Sequence, residues 1–196
     1  MRGMMTTWII AAETGVGSLV EQARALGGTV TAVTVGNLPI AGVDSIVAVE
    51  LAAGAPVEAA APSVAGAVTA QPGDVVLAAN RPAERVLAGA VAAKLGAPVL
   101  TSVKSLAAGA AQVGKAGGIG LEDVAFDGPV VAILDGGAQP AGEVPEAVTF
   151  GAKDYVATVS AIEQAEVEAV NLGAAQRVVA AGRGFKTKDD LDLAGQ

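Results

Sequence analysis

A chain of 196 residues that is 52% hydrophobic but only 3% aromatic has the material for one α/β domain with a core of Val, Ile, Leu and Ala. It contains no cysteine and no histidine, which excludes disulfides, iron–sulfur ligation, zinc fingers, His-metal sites and every Ser-His or Cys-His triad. A net charge of −8 argues against nucleic acid and anionic membrane partners, because phosphate binding needs clustered Lys and Arg.

The start, Met1 to Thr6, lacks the apolar stretch of a signal peptide. No apolar run approaches the ~20 residues of a spanning helix. The expectation is a cytoplasmic chain without membrane insertion. Trp8 to Ala12 reads as a first strand. A helix follows over Ser18–Leu26, with capping-box spacing at Ser18 and Glu21, a stripe of Leu19, Ala23 and Leu26, and Gly27-Gly28 at its end. Thr29–Val35 and Ser45–Val49 are strands, Pro56–Ala70 is a helix restarted near Pro62-Ser63, and Asp74–Ala79 is a fourth strand. Pro82–Leu95 is the clearest helix, with Val86, Leu87, Ala90, Val91 and Leu95 on one face and Gly96 at the exit.

Pro98–Val103 opens a fifth strand. From Ala107 to Asp135 the period changes to short β runs and glycines, ending in a strand over Val130–Leu134, so the sheet is expected to be mixed at this end. Gly136–Pro145 is a loop. Asp154–Ile162 and Arg177–Ala180 read as further strands, and Thr187 onward as a helix start. That ending reads either as the opening of a further α/β unit or as a helix folding back. The alternation of strands and helices gives a three-layer, doubly wound, mainly parallel sheet with a mixed β excursion.

The candidate sites cluster after strands. Gly15-Val16-Gly17-Ser18 opens a helix after the first strand, where backbone N–H groups of a dinucleotide fold hold phosphate. Val20 replaces the third glycine, and no acidic residue ends the second strand at Val35-Gly36-Asn37, so an ordinary tight turn is the favoured reading. Gly114-Lys115-Ala116-Gly117-Gly118 has its lysine before the glycines and no following Ser or Thr, which makes it a β-turn rather than a P-loop. Glu13, Asn80-Arg81, and Thr101, Ser102 and Lys104 stand at carboxyl ends of strands and outline a crevice; for Asn80 the cap of the next helix is the favoured reading. Paired carboxylates at Glu122-Asp123 and Asp189-Asp190 read as solvated turns. In Gly182-Arg183-Gly184-Phe185-Lys186, Arg183 either reaches an anion such as a pyrophosphate or sits in a solvated turn.

The ordered set of segments resembles the alpha subunit of electron transfer flavoproteins. Ile9 to Glu13 is similar to that family's first strand ending in Ala-Glu. Gly42-Val43-Asp44 is similar to its Gly-Ala-Asp, Arg85 to Gly96 to its Arg-Val-Ala-Ala-Leu-Leu-Gly helix, Thr101 to Lys104 to its Ser-Asp-Val-Thr, and Gly117-Gly118 to its Tyr-Gly-Gly turn. Arg177 to Lys186 most resembles the Val-Val-Val-Ser-Gly-Gly-Arg-Gly string that opens the FAD-binding domain. Leu134-Asp135 departs from the usual Val-Arg, and the later Gly-Gln-Thr-Gly and Ser-Gly-Ala-Ile-Gln-His strings are absent.

The resemblance implies an adenine-nucleotide alpha-hydrolase-like fold, with residues 1–175 as the N-terminal domain and 176–196 as the start of a truncated FAD-binding domain or a C-terminal extension. It implies pairing with a beta subunit and, through that complex, work with a dehydrogenase: the complete protein uses FAD to carry electrons from dehydrogenases to an acceptor. Arg183 is the one cofactor-binding residue that carries over, and this chain alone is expected to bind FAD weakly or not at all, to bind no metal and to catalyse nothing itself. The alternative is a stand-alone adenine-nucleotide-binding module near Glu13, Gly15 and Asn80.

Overall fold

The computed structural model describes residues 5–151 and 155–162. Two compact units divide the chain, Met1–Val159 and Ser160–Gln196, and every helix and strand among the described residues belongs to the first. The expected strand over Arg177–Ala180, the helix after Thr187, Asp189-Asp190 and Arg183 lie outside the described residues.

Among the described residues, seven strands form the central sheet: β1 (Thr6–Ala11), β2 (Thr29–Val35), β3 (Ser45–Val49), β4 (Val75–Ala79), β5 (Val99–Leu100), β9 (Val130–Leu134) and β10 (Ala147–Phe150). Their order is β10-β3-β2-β1-β4-β9-β5, and all six pairings are parallel. Such strands are covered on both faces, which is why β2 and β4 read as unbroken Val, Ala, Leu and Thr. The chain winds outward from β1 through β2 and β3, then returns to place β4 on the other side of β1. The reversal puts the topological switch point between the carboxyl ends of β1 and β4.

Helix α1 (Gly17–Leu26) covers one face, where Leu19, Val20 and Ala23 pack on Ile9, Ala11, Ala32 and Leu77. The other face carries α2 (Ala61–Ala67) and α3 (Pro82–Leu95), packed on Ile10, Val33, Val76 and Ala78. A 3-10 turn at Val57–Ala60 precedes α2, and Pro62 stands in its first turn, as the Pro62-Ser63 restart required. The face of α3 differs from the sequence expectation. Val86 is 49% exposed, while Glu84 is buried with Leu87, Ala88 and Val91.

The β excursion does not make the central sheet mixed. Strands β6 (Val103–Ala107), β7 (Ala110–Lys115) and β8 (Gly120–Ala125) form a separate antiparallel sheet. Ser102, at φ 55, sits in the left-handed region between β5 and β6 and turns the chain out of the central sheet. Leu106 and Ala111 then cover the face beside α1 in place of a second helix. The expected fifth strand, Pro98–Val103, is therefore broken in two.

The last strand also differs. Tyr155–Ile162 forms no strand; the Tyr155 and Val159 amides instead donate to the carbonyls of Ala59 and Gly54. The edge position beside β3 belongs to Ala147–Phe150. Phe150 anchors it by packing into the core against Gly66, whose missing side chain leaves room for the ring.

Candidate functional site

At the switch point, β1 ends in Ala12-Glu13-Thr14-Gly15 and β4 in Asn80-Arg81. Asn80 does not cap α3: Arg81 holds the N-cap position, and no side-chain cap bond is made there. Pro82 needs no N–H donor in the first turn, and Glu84 follows as the first-turn acid, where the helix dipole favours a carboxylate.

Arg81 joins the two strand ends. Its Nη2 donates to the Gly15 carbonyl, and its Nη1 lies 3.3 Å from Glu84 Oε1 and 3.5 Å from Glu13 Oε2. Glu84 is 1% exposed, and its Oε1 also accepts from the Ala12 amide at 3.4 Å. Glu13 is 67% exposed at the mouth. A buried carboxylate requires compensation, and here it has one guanidinium and one peptide N–H. The guanidinium is consumed by this duty and by the Gly15 turn, which leaves it poorly placed to grip an external anion.

The turn at Gly15-Val16-Gly17-Ser18 is likewise occupied. The expected capping box is absent: α1 starts at Gly17 behind Val16, without a side-chain cap. The Gly17 amide donates to the Ala138 carbonyl at 2.7 Å, and the Ser18 amide to the Gly136 carbonyl at 3.0 Å. The segment after β9 therefore lays its own carbonyls where a dinucleotide fold holds phosphate. Glycine makes this approach possible. A Cβ at Gly17 would stand 2.7 Å from Ala138 O, and one at Gly136 would stand 2.5 Å from Gly15 O. The same strap continues to Gly42, whose amide donates to Glu143 O at 3.0 Å.

The other candidates do not join this site. Thr101 and Ser102 end β5 at the far edge of the sheet, separated from β4 by β9, and Lys104 belongs to the antiparallel sheet. Gly114 to Gly118 does form a hairpin turn, joining β7 to β8. Glu122 and Asp123 are in strand β8 rather than a turn: Glu122 pairs with Lys115 at 2.8 Å, and Asp123 accepts from Gln112 at 3.1 Å. Among the described residues, no three acidic side chains gather as a metal site.

An open cavity of about 890 Å³ lies at the opposite, amino end of β1 and β4, between Met5, Gln71, Asp74, Phe126 and Asp127. Asp74 already accepts from the Thr6 and Gln71 amides, each at 2.8 Å.

Sequence reasoning found Glu13 and Arg81 but missed Glu84 and the strap. Glu84 had a signal, since an acid two residues after a helix-opening proline points at the same N-terminus as Arg81. The Gly136-Gly137 pair was legible as a turn, not as a lid on α1. No helix among the described residues is long and apolar enough to cross a membrane. No protein-family model matches the chain, and no curated protein matches it.

Proposed function

We propose that this chain is the N-terminal docking domain of an electron transfer flavoprotein alpha subunit, with an adenine-nucleotide alpha-hydrolase-like fold. The observation that carries the reading is the self-closed switch point. The helix donors that would hold a phosphate are bound to Gly136 O and Ala138 O, and the cation there, Arg81, is committed to Glu84, Glu13 and Gly15. A domain that fills its own ligand crevice is suited to scaffolding. The resemblance of the ordered segments supplies the rest: a beta subunit as partner, FAD in the complete protein held partly by Arg183, and electron delivery from dehydrogenases to an acceptor.

The same observation weighs against the stand-alone adenine-nucleotide module, because AMP would have to displace the strap. A UV–visible spectrum of the purified chain, followed by denaturing release of any ligand, separates the readings. The docking reading expects no flavin, no released nucleotide and co-purification with a co-expressed beta subunit. Stoichiometric AMP, or a thermal shift on AMP or ATP titration, would overturn it in favour of the nucleotide module.

A further inference from the structure

Between β9 and β10 the chain runs from the start of α1 to the loop before β3 as a strap without helix or strand. Among the described residues, three main-chain bonds hold residues 136–143 to the rest of the domain. Two lie at the near end, where Gly136 O and Ala138 O accept from the Ser18 and Gly17 amides. The third lies at the far end, where the Gly42 amide donates to Glu143 O. Between these ends Gln139, Ala141 and Gly142 are exposed. Fixed at both ends and open between them, the strap is built as a lid with a fastening.

The fastening is not part of the strap. Gly42, at φ 74, is itself held, because its carbonyl accepts from Arg24 Nε at 2.9 Å. The same guanidinium grips Asp44 with both terminal nitrogens, each at 2.9 Å. Asp44 in turn is fixed to β2: its Oδ2 accepts from the Val30 amide at 2.7 Å, and its own amide donates to Val30 O at 2.8 Å. The bonds thus run from β2 through Asp44 and Arg24 to Gly42, and on to Glu143. The ion pair is the vulnerable link. Its side chains are 42% and 43% exposed, and exposed pairs are screened by salt.

We infer that the Arg24–Asp44 pair is a latch, sensitive to ionic strength, that keeps the strap closed over the first amides of α1. When the pair separates, Gly42 loses its fixed partner and Glu143 is released. The strap then swings on its near end, and the Gly17–Ala138 bond opens more often. The Ser18–Gly136 bond stays, because Gly136 follows closely on β9. Arg24 stands seven residues after Gly17, about 10 Å along the helix, so the control acts at a distance from the crevice it governs. The closure of the switch point is therefore conditional. This does not depend on the electron-carrier reading.

Amide exchange of the full chain, resolved by residue with NMR, tests this. R24M speeds exchange at Gly17 and Gly42 by about five- to tenfold, the loss of about one hydrogen bond, and moves Ser18 less. R24K keeps the charge but lacks the fork that reaches Gly42 and Asp44 together, so it behaves like R24M. Raising NaCl from about 0.05 M to about 1 M speeds Gly17 exchange in the parent more than in R24M, which has no pair left to screen. K94M loosens the end of α2 on the other face of the sheet and leaves Gly17 as in the parent, which separates the latch from general destabilisation. Gly17 exchange that R24M leaves unchanged, that R24K restores, or that K94M raises equally would overturn the inference. So would equal salt responses in the parent and R24M.

Discussion

Gly136→Ala probes the seal over the Gly15 turn. A Cβ there would stand 2.5 Å from Gly15 O, 2.7 Å from Arg81 Nη2 and 3.2 Å from Ala79 Cβ. None of these neighbours recedes freely. Gly15 O belongs to the turn that opens α1, Arg81 is tied to Glu84 and Glu13, and Ala79 is a buried residue of β4. Relief therefore requires the strap to lift, and lifting it breaks the Gly17–Ala138 and Ser18–Gly136 bonds.

Overpacking costs about 1–3 kcal/mol, and the two bonds contribute about 1 kcal/mol each. The smaller entropy of the unfolded alanine chain offsets about 0.5–1 kcal/mol. The net expectation is a loss of about 2–4.5 kcal/mol. The same substitution at Gly89 is the control: it lies exposed within α3, with nothing within 4 Å of the new Cβ. Gly89→Ala is expected to stabilise by about 0.5–1 kcal/mol through helix propensity. For a domain of this size the Tm shifts by roughly 2–4 °C per kcal/mol, so the two variants move in opposite directions. Thermal and urea unfolding followed by far-UV circular dichroism reads both. A G136A protein within about 0.5 kcal/mol of the parent would refute the close packing of strap on turn.

Three further outcomes are expected. Arg81→Met strips buried Glu84 of its cation and is expected to cost about 2–4 kcal/mol. Glu84→Gln keeps an acceptor for Ala12 and leaves Arg81 its other partners, so it costs about 1 kcal/mol; equal urea midpoints for the two variants would contradict the network. The Asp44 carboxyl is held below its ordinary value, first by the hydrogen bond from Arg24 and then by that from the Val30 amide. Its contribution is therefore full above the unfolded carboxyl value of about 3.9 and fades as pH falls through the lower folded value. Because the side chain is 43% exposed, D44N is expected to lose only about 0.5–1 kcal/mol at neutral pH, and its denaturation midpoint converges with the parent's in acid. Lys94 Nζ donates to the carbonyls of Ala65, Gly66 and Val68 at the end of α2. K94M should cost about 1–2 kcal/mol and speed amide exchange in the last turn of α2; unchanged exchange there would refute the capping role.

The central sheet and its helices were legible because their patterns are local. The valine runs of β2 and β4, Pro82 opening α3 and Gly96 closing it each identify an element within a few residues. The sequence shows the strands of the antiparallel sheet but not which sheet they join, because strand pairing depends on where Ser102 sends the chain. Asp154–Ile162 carries more strand-like residues than Ala147–Phe150, yet the latter took the edge because Phe150 finds a place in the core. Apolarity alone places Val86 on the buried face of α3, whereas Glu84 is buried, which only Arg81 and the distant Ala12 amide make tolerable.

By itself the sequence determined the α/β class, the glycine turn after β1 and the exclusion of thiol and imidazole chemistry. Tertiary structure decided that the glycine turn is closed. Its helix donors are satisfied by carbonyls more than a hundred residues downstream, and hydrogen-bond partners so far apart leave no local pattern in the chain.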